Sequence, residues 1–142
     1  MTIILIAGGP RSGKTTFALT LAREMRLPVR HTDDLIGKLE WSASSEEVSR
    51  WLDGDDAIIE GVAVGRAVAK WLARNPSGTA AVSGMAQSIQ PVRRPCDRFY
   101  WAGTPRVALS AGQVSMFAGC RAKLTEIMPE LKRRGVAVEA VP

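Results

Sequence analysis

The chain has 142 residues, enough for one domain with a single sizeable core, and no composition shift marks a second. Its hydrophobic fraction of 46% and charged fraction of 23% are those of a soluble globular protein. The opening apolar run is too short to span a bilayer and lacks the preceding basic residues of a secretory leader. The formal net charge of +5 is uneven: residues 1–65 hold 7 basic and 10 acidic side chains, residues 66–142 hold 12 and 4, so the second half is either a surface for an anionic partner or an ordinary solvated face.

Residues 3–7, Ile-Ile-Leu-Ile-Ala, read as a buried parallel strand, and Phe17, Leu21 and Met25 recur at helical spacing beyond it. Between them runs GGPRSGKTT, in which Gly8, Gly13, Lys14 and Thr15 occupy the fixed positions of the phosphate-binding pattern G-x-x-x-x-G-K-[ST]. The chemistry requires each type. Glycines let successive N–H groups turn inward on an anion, and the following helix adds its orphan N–H groups and positive dipole end. Lys14 supplies a point charge for the outer phosphates, and the Thr15 hydroxyl a ligand for Mg²⁺. Gly8, Gly9, Pro10, Arg11, Ser12, Gly13, Lys14, Thr15 and Thr16 are therefore expected to hold a nucleotide, with Arg11 facing either the nucleotide or solvent.

Pro28 stops the helix, and Val-Arg-His at 29–31 reads as a second strand with HTDDL at its carboxyl end. Asp33 and Asp34 lie where a carboxylate would align an acceptor hydroxyl, receive its proton or hold the metal's water shell; the other reading is a helix cap. His31 has no visible ligand partner and is expected to pack. A helix over 45–52 follows, with Ser44 and Glu47 at capping-box spacing and Gly54 past its end. A third strand at 57–60 ends in Glu60, either a metal-organising acid or a polar strand end, and Gly61 permits close approach of a substrate. Val64, Ala67, Val68, Trp71 and Leu72 mark an amphipathic helix stopped by NPSG. Arg66 on its first turn is placed either to clamp an anionic acceptor or to sit in solvent, and Trp41 alone of the four tryptophans to line a cleft.

The stretch 78–95 is weakly patterned and reads as a long loop, of a length that is often functional or disordered. DRFYWAG gives a fourth strand. A helical pattern then runs through Val114, Phe117, Cys120, Leu124, Ile127 and Leu131, with Pro129 predicting a kink or a restart; Gly135 ends it, and 136–141 is a fifth strand. Cys96 and Cys120 lack metal-ligand spacing and are expected as two buried reduced thiols, which points to a cytoplasmic location. Strand–helix alternation of this kind predicts an α/β fold, a parallel sheet covered on both faces, with ligands at the carboxyl ends of the strands. The phosphate loop, Asp33, Asp34 and Glu60 all fall on that rim.

The whole chain resembles the small P-loop kinases of the adenylate-kinase-like and shikimate-kinase-like class, on GGPRSGKTT, on HTDDL after the second strand and on IIEGVAVGRAV after the third. The resemblance implies a single three-layer α/β/α P-loop domain over 1–142, with a five-stranded parallel sheet of order 2-3-1-4-5. The segment GQVSMFAGC…IMPELKRRGV is also similar to small P-loop proteins of tailed phages and prophages. Two departures stand out. The mobile lid that such kinases carry after the fourth strand is reduced here to GTPRVALSAGQ, with Arg106 alone and Arg121 later on the helix. Polynucleotide kinases have an arginine three residues after the first Asp; Ile36 holds that place, which argues against a nucleic-acid 5′ end as acceptor.

The function expected is an ATP- and Mg²⁺-dependent kinase acting on a small hydroxyl- or phosphate-bearing acceptor. Lys14 would neutralise the phosphates, and Thr15, Asp33 and Glu60 would attend the metal. Asp33, with Asp34 beside it, would act on the acceptor, Gly61 and Arg66 would contact it, and Arg106 or Arg121 would cover the developing charge. The alternative is a nucleotide-binding ATPase or switch acting on a protein or nucleic-acid partner, although no specific nucleic-acid motif occurs. No guanine-reading N-K-x-D motif occurs either.

Overall fold

The computed structural model describes residues 2–35, 37–76 and 92–142. Ile36 and most of the expected 78–95 loop lie outside the described residues. The first strand, β1 (Ile3–Gly8), is buried along its whole length, which explains its unbroken apolar run. It pairs in parallel with β3 (Ala57–Gly61) on one side and β4 (Arg98–Ala102) on the other. β2 (Val29–His31) and β5 (Ala137–Ala140) close a five-stranded parallel sheet of order β2-β3-β1-β4-β5, as expected.

Side-chain alternation splits β1 between two cores. Ile3, Leu5 and Ala7 face a large cluster with Val48 of α2 (Trp41–Trp51), Val64, Ala67, Val68 and Trp71 of α3 (Val64–Arg74), and Leu124, Ile127 and Leu131 of α4 (Ala111–Arg133). Ile4 and Ile6 face Ala18 and, at the edge, Phe17 and Leu21 of α1 (Lys14–Met25). Phe17 meets Tyr100 of β4 edge-on at 4.9 Å between ring centroids. The chain is thus a three-layer α/β/α fold, with α1 on one face and α2, α3 and α4 on the other.

Three local expectations need correction. α2 starts at Trp41, not Ser45, and no side chain caps it. Ser44 and Ser45 are buried instead; Ser45 donates back to the Trp41 and Ser42 carbonyls at 3.2 and 3.0 Å, so these small residues face the neighbouring core. α4 is one helix through Pro129, with no restart. Pro129 and Thr125, the residue whose helical carbonyl partner the proline removes, are both exposed, where solvent can take the place of the missing N–H. Cys96 is buried, but Cys120 is only half-buried; both are free thiols.

The basic second half is largely occupied with acids. Lys70 and Arg74 pair with Glu46, Arg93 with Asp53, Arg94 with Asp97, Lys123 with Glu126, and Arg133 and Arg134 with Glu130. Among the described residues no helix is long and apolar enough to cross a membrane.

Candidate functional site

The turn from β1 into α1 carries the phosphate-binding pattern, and its backbone is unusual. Arg11 and Gly13 sit in the left-handed region at φ 57° and 83°, so the chain reverses hand twice within a few residues. α1 then starts with neither a capping side chain nor an acidic residue in its first turn, leaving its N-terminal N–H groups and dipole open to an anion. The glycines also serve neighbours. A Cβ at Gly9 would lie 2.1 Å from Phe117 Cδ2 of α4, and one at Gly13 would lie 2.6 Å from Arg106 Nε. The loop is packed from behind as well as shaped for a ligand.

Lys14 is buried, and its Nζ donates to the Gly9 carbonyl at 2.8 Å, an oxygen that also accepts from Ser12 Oγ at 2.8 Å. Burial holds the Lys14 pKa below the usual lysine value, against the opposing pull of Glu60, Asp33 and Cys120. Glu60, the last polar side chain of β3, is 1% exposed. Its Oε1 accepts from Thr15 Oγ1 at 3.2 Å and lies 2.6 Å from His31 Nδ1, while its Oε2 has no partner among the described residues. His31 was expected only to pack, and that is corrected. β2 runs beside β3 in a register that sets His31 directly opposite Glu60, so the expected strand order together with strand parity pointed to the pair.

Asp33 and Asp34 lie in a single 3₁₀ turn, Thr32–Asp34, directly after β2, not at the cap of α2. At Gly61, φ 143°, a Cβ would fall 1.8 Å from Thr32 Oγ1, so the contact with Thr32 by itself requires the glycine. Asp33 Oδ1 stands 3.3 Å from the same point. A cavity of about 490 Å³ is lined by Pro10, Arg11, Ser12, Gly13, Lys14, Thr15 and Thr16 together with Asp33, Val62 and Met116. Asp34 lies outside it.

The two candidate lid arginines diverge. The Arg106 side chain lies against Gly13 and donates to the Pro142 carbonyl, and its backbone N–H donates to Arg11 O at 2.8 Å. Arg121 donates from Nε to Gly103 O at 3.0 Å and lines a separate cavity with Trp101, Met128 and Val141. It does not line the cavity that holds Lys14 and Asp33, and its Cζ lies 5.6 Å from the centroid of the Phe117 ring. Arg66 and Trp41 do come together, with Arg66 Cζ 5.3 Å from the Trp41 ring centroid, in another cavity that shares Val62 and Met116 with the one lined by Lys14 and Asp33. Sequence reasoning missed Phe117, Thr32 and Lys123, because each matters through a contact made across the fold.

No family model matches the chain, and no curated protein does. One solved structure similar to it is that of a protein from Chloroflexus aurantiacus j-10-fl, provisionally described as a kinase, at 16% identity. The match covers 99% of this chain and 84% of that one with a TM-score of 0.41, too distant to carry a functional argument.

Proposed function

We propose that the protein is an ATP- and Mg²⁺-dependent kinase that moves the γ-phosphoryl group to a small hydroxyl- or phosphate-bearing acceptor. The observation that carries this reading is the convergence of the phosphate loop, Lys14 and Asp33 on one cavity at the carboxyl ends of the strands. Phosphoryl transfer asks a protein mainly for positioning and charge stabilisation. On a hydroxyl acceptor, the acceptor oxygen bonds to the γ-phosphorus as the bond to the β,γ-bridging oxygen breaks. The hydroxyl proton passes to the Asp33 carboxylate, and ADP departs with the bonding electron pair. Lys14 exchanges the Gly9 carbonyl for phosphate oxygens.

The oxygen donors Thr15 Oγ1 and Glu60, whose Oε2 is buried and unpartnered among the described residues, suit a hard divalent cation. Mg²⁺ held there would supply charge neutralisation at the β- and γ-phosphates. His31 Nδ1, 2.6 Å from the same Glu60 Oε1 that accepts from Thr15, would orient that carboxylate and leave Oε2 for the cation.

The test is Asp33→Asn. Transfer is expected to fall by about 10²–10⁴-fold, the contribution of a positioned acid–base group, with ATP affinity nearly intact. Asp34→Asn, outside the cavity, costs less. Equal losses in the two variants, or a loss confined to ATP affinity, would remove Asp33 from its role. A second reading, a nucleotide switch, draws on the engagement of both Arg106 and Arg121 with backbone carbonyls. In that case Asp33→Asn changes no turnover and alters at most the Mg²⁺ dependence of binding.

A further inference from the structure

Beside the phosphate-loop cavity lies a second, of about 320 Å³, between the start of α3 and the first half of α4. That volume is of small-metabolite size. Ala7 and Gly8 at the end of β1 contribute to its lining, and Val62 and Met116 border both cavities. A molecule seated here would therefore reach the phosphate loop and Asp33 across those two side chains.

The lining is chemically one-sided. It includes the cations Arg66 and Lys123 and the indole of Trp41, and no carboxylate among the described residues. Arg66 makes no ion pair among the described residues; it only stacks on Trp41. Lys123 is held over Gly65, where a Cβ would come 3.3 Å from Lys123 Cγ, and its ammonium meets Glu126 at 2.9 Å. Glu126 already offsets the Lys123 charge, whereas the Arg66 guanidinium borders this concave, partly apolar space without a carboxylate partner among the described residues, and an anion there would supply its counter-charge. A guanidinium adds a planar fork suited to a phosphate or carboxylate.

We infer that this cavity is the acceptor site, and that it selects a small molecule carrying its own anionic group, phosphate or carboxylate, besides the hydroxyl that is phosphorylated. The name acceptor rests on the kinase reading, whereas anion binding in the cavity does not. Neutral polyols lack the group that Arg66 and Lys123 would hold.

Cys120 supplies the readout. Its thiol lines the cavity and is half-buried, while Cys96, 3% exposed, is the internal reference. Iodoacetamide labelling of Cys120 is followed by mass spectrometry with glycerol 3-phosphate, malate or glycerol present and nucleotide absent. Each rate is compared with that of the same variant without additive, because Lys14 and Arg66 themselves act on this thiol. Glycerol 3-phosphate, malate or both are expected to slow labelling by about fivefold or more at saturation, and glycerol to leave it unchanged. The two anions separate phosphate from carboxylate recognition. Arg66→Gln and Lys123→Gln are each expected to lose the protection, and Lys14→Ala to keep it. Absence of protection by both anions, equal protection by glycerol, or protection lost in Lys14→Ala would overturn the inference. Failure of the kinase reading is seen separately, as absence of ATP consumption with protection intact.

Discussion

Lys14 is buried beside the Gly9 carbonyl, and burial is the main cause of its lowered pKa. The sign follows from linkage. Between the lowered folded value and the ordinary 10.5 the unfolded chain binds more protons, so the stability of the unliganded protein rises with pH across that window. Lys14→Met is expected to flatten this rise, measured by urea denaturation at a series of pH values. A triphosphate favours the ammonium, so binding within the same window takes up protons. Calorimetry in two buffers of different ionisation heat reads that uptake, and identical heats after correction for dilution would exclude it. Lys14 could be named as a candidate from sequence because loop, lysine and hydroxyl are local in the chain. The His31–Glu60 pair was not read, although strand parity and the expected strand order together place the ends of β2 and β3 side by side.

At the scale of elements, α4 is the part that sequence described least well. Its apolar spacing marked a helix, but not that Phe117 packs against Gly9 or that Arg134 fixes the far end. Those contacts join segments remote in the chain, and only the closed fold brings them together. Gly9→Ala is expected to destabilise the protein by about 1–3 kcal/mol through overpacking against Phe117, with partial rescue by Phe117→Leu. Additive losses in the double variant, measured by denaturant unfolding, would show that the two residues do not compete for space. Arg134 is buried; its Nε donates to Glu130 Oε1 at 2.8 Å and its Nη1 to Arg93 O at 2.9 Å. Arg134→Met is expected to cost about 1.5–3 kcal/mol, the range for hydrogen bonds to a charged group. The Arg134 hydrogen bond is also the main cause of a lowered Glu130 pKa. Stability from this pair is present above the ordinary carboxylate value and is lost as pH falls through the lowered one, a dependence that Arg134→Met should largely remove. The Ser44–Glu47 spacing misled for a related reason: capping-box residues were present, but the fold buries Ser44 within the helix.

Across the whole molecule, the parallel sheet and the placing of the candidate residues on one rim were legible from the alternation of elements, whereas the strand order β2-β3-β1-β4-β5 was implied only by the resemblance. The charge asymmetry was the weaker guide. Most basic side chains of the second half are engaged with acids, and Arg66 and Lys123 draw meaning from the cavity they border rather than from the net charge. Every functional step proposed for this fold depends on the turn between β1 and α1 accepting a triphosphate. Calorimetric titration of the intact protein with ATP and Mg²⁺, wild type beside Lys14→Ala, tests that directly. The account predicts one site per chain, weakened more than tenfold by the substitution, about 1.4 kcal/mol or more, with no loss of melting temperature in the unliganded protein. Equal affinity in the two proteins, or no binding by the wild type, would contradict it.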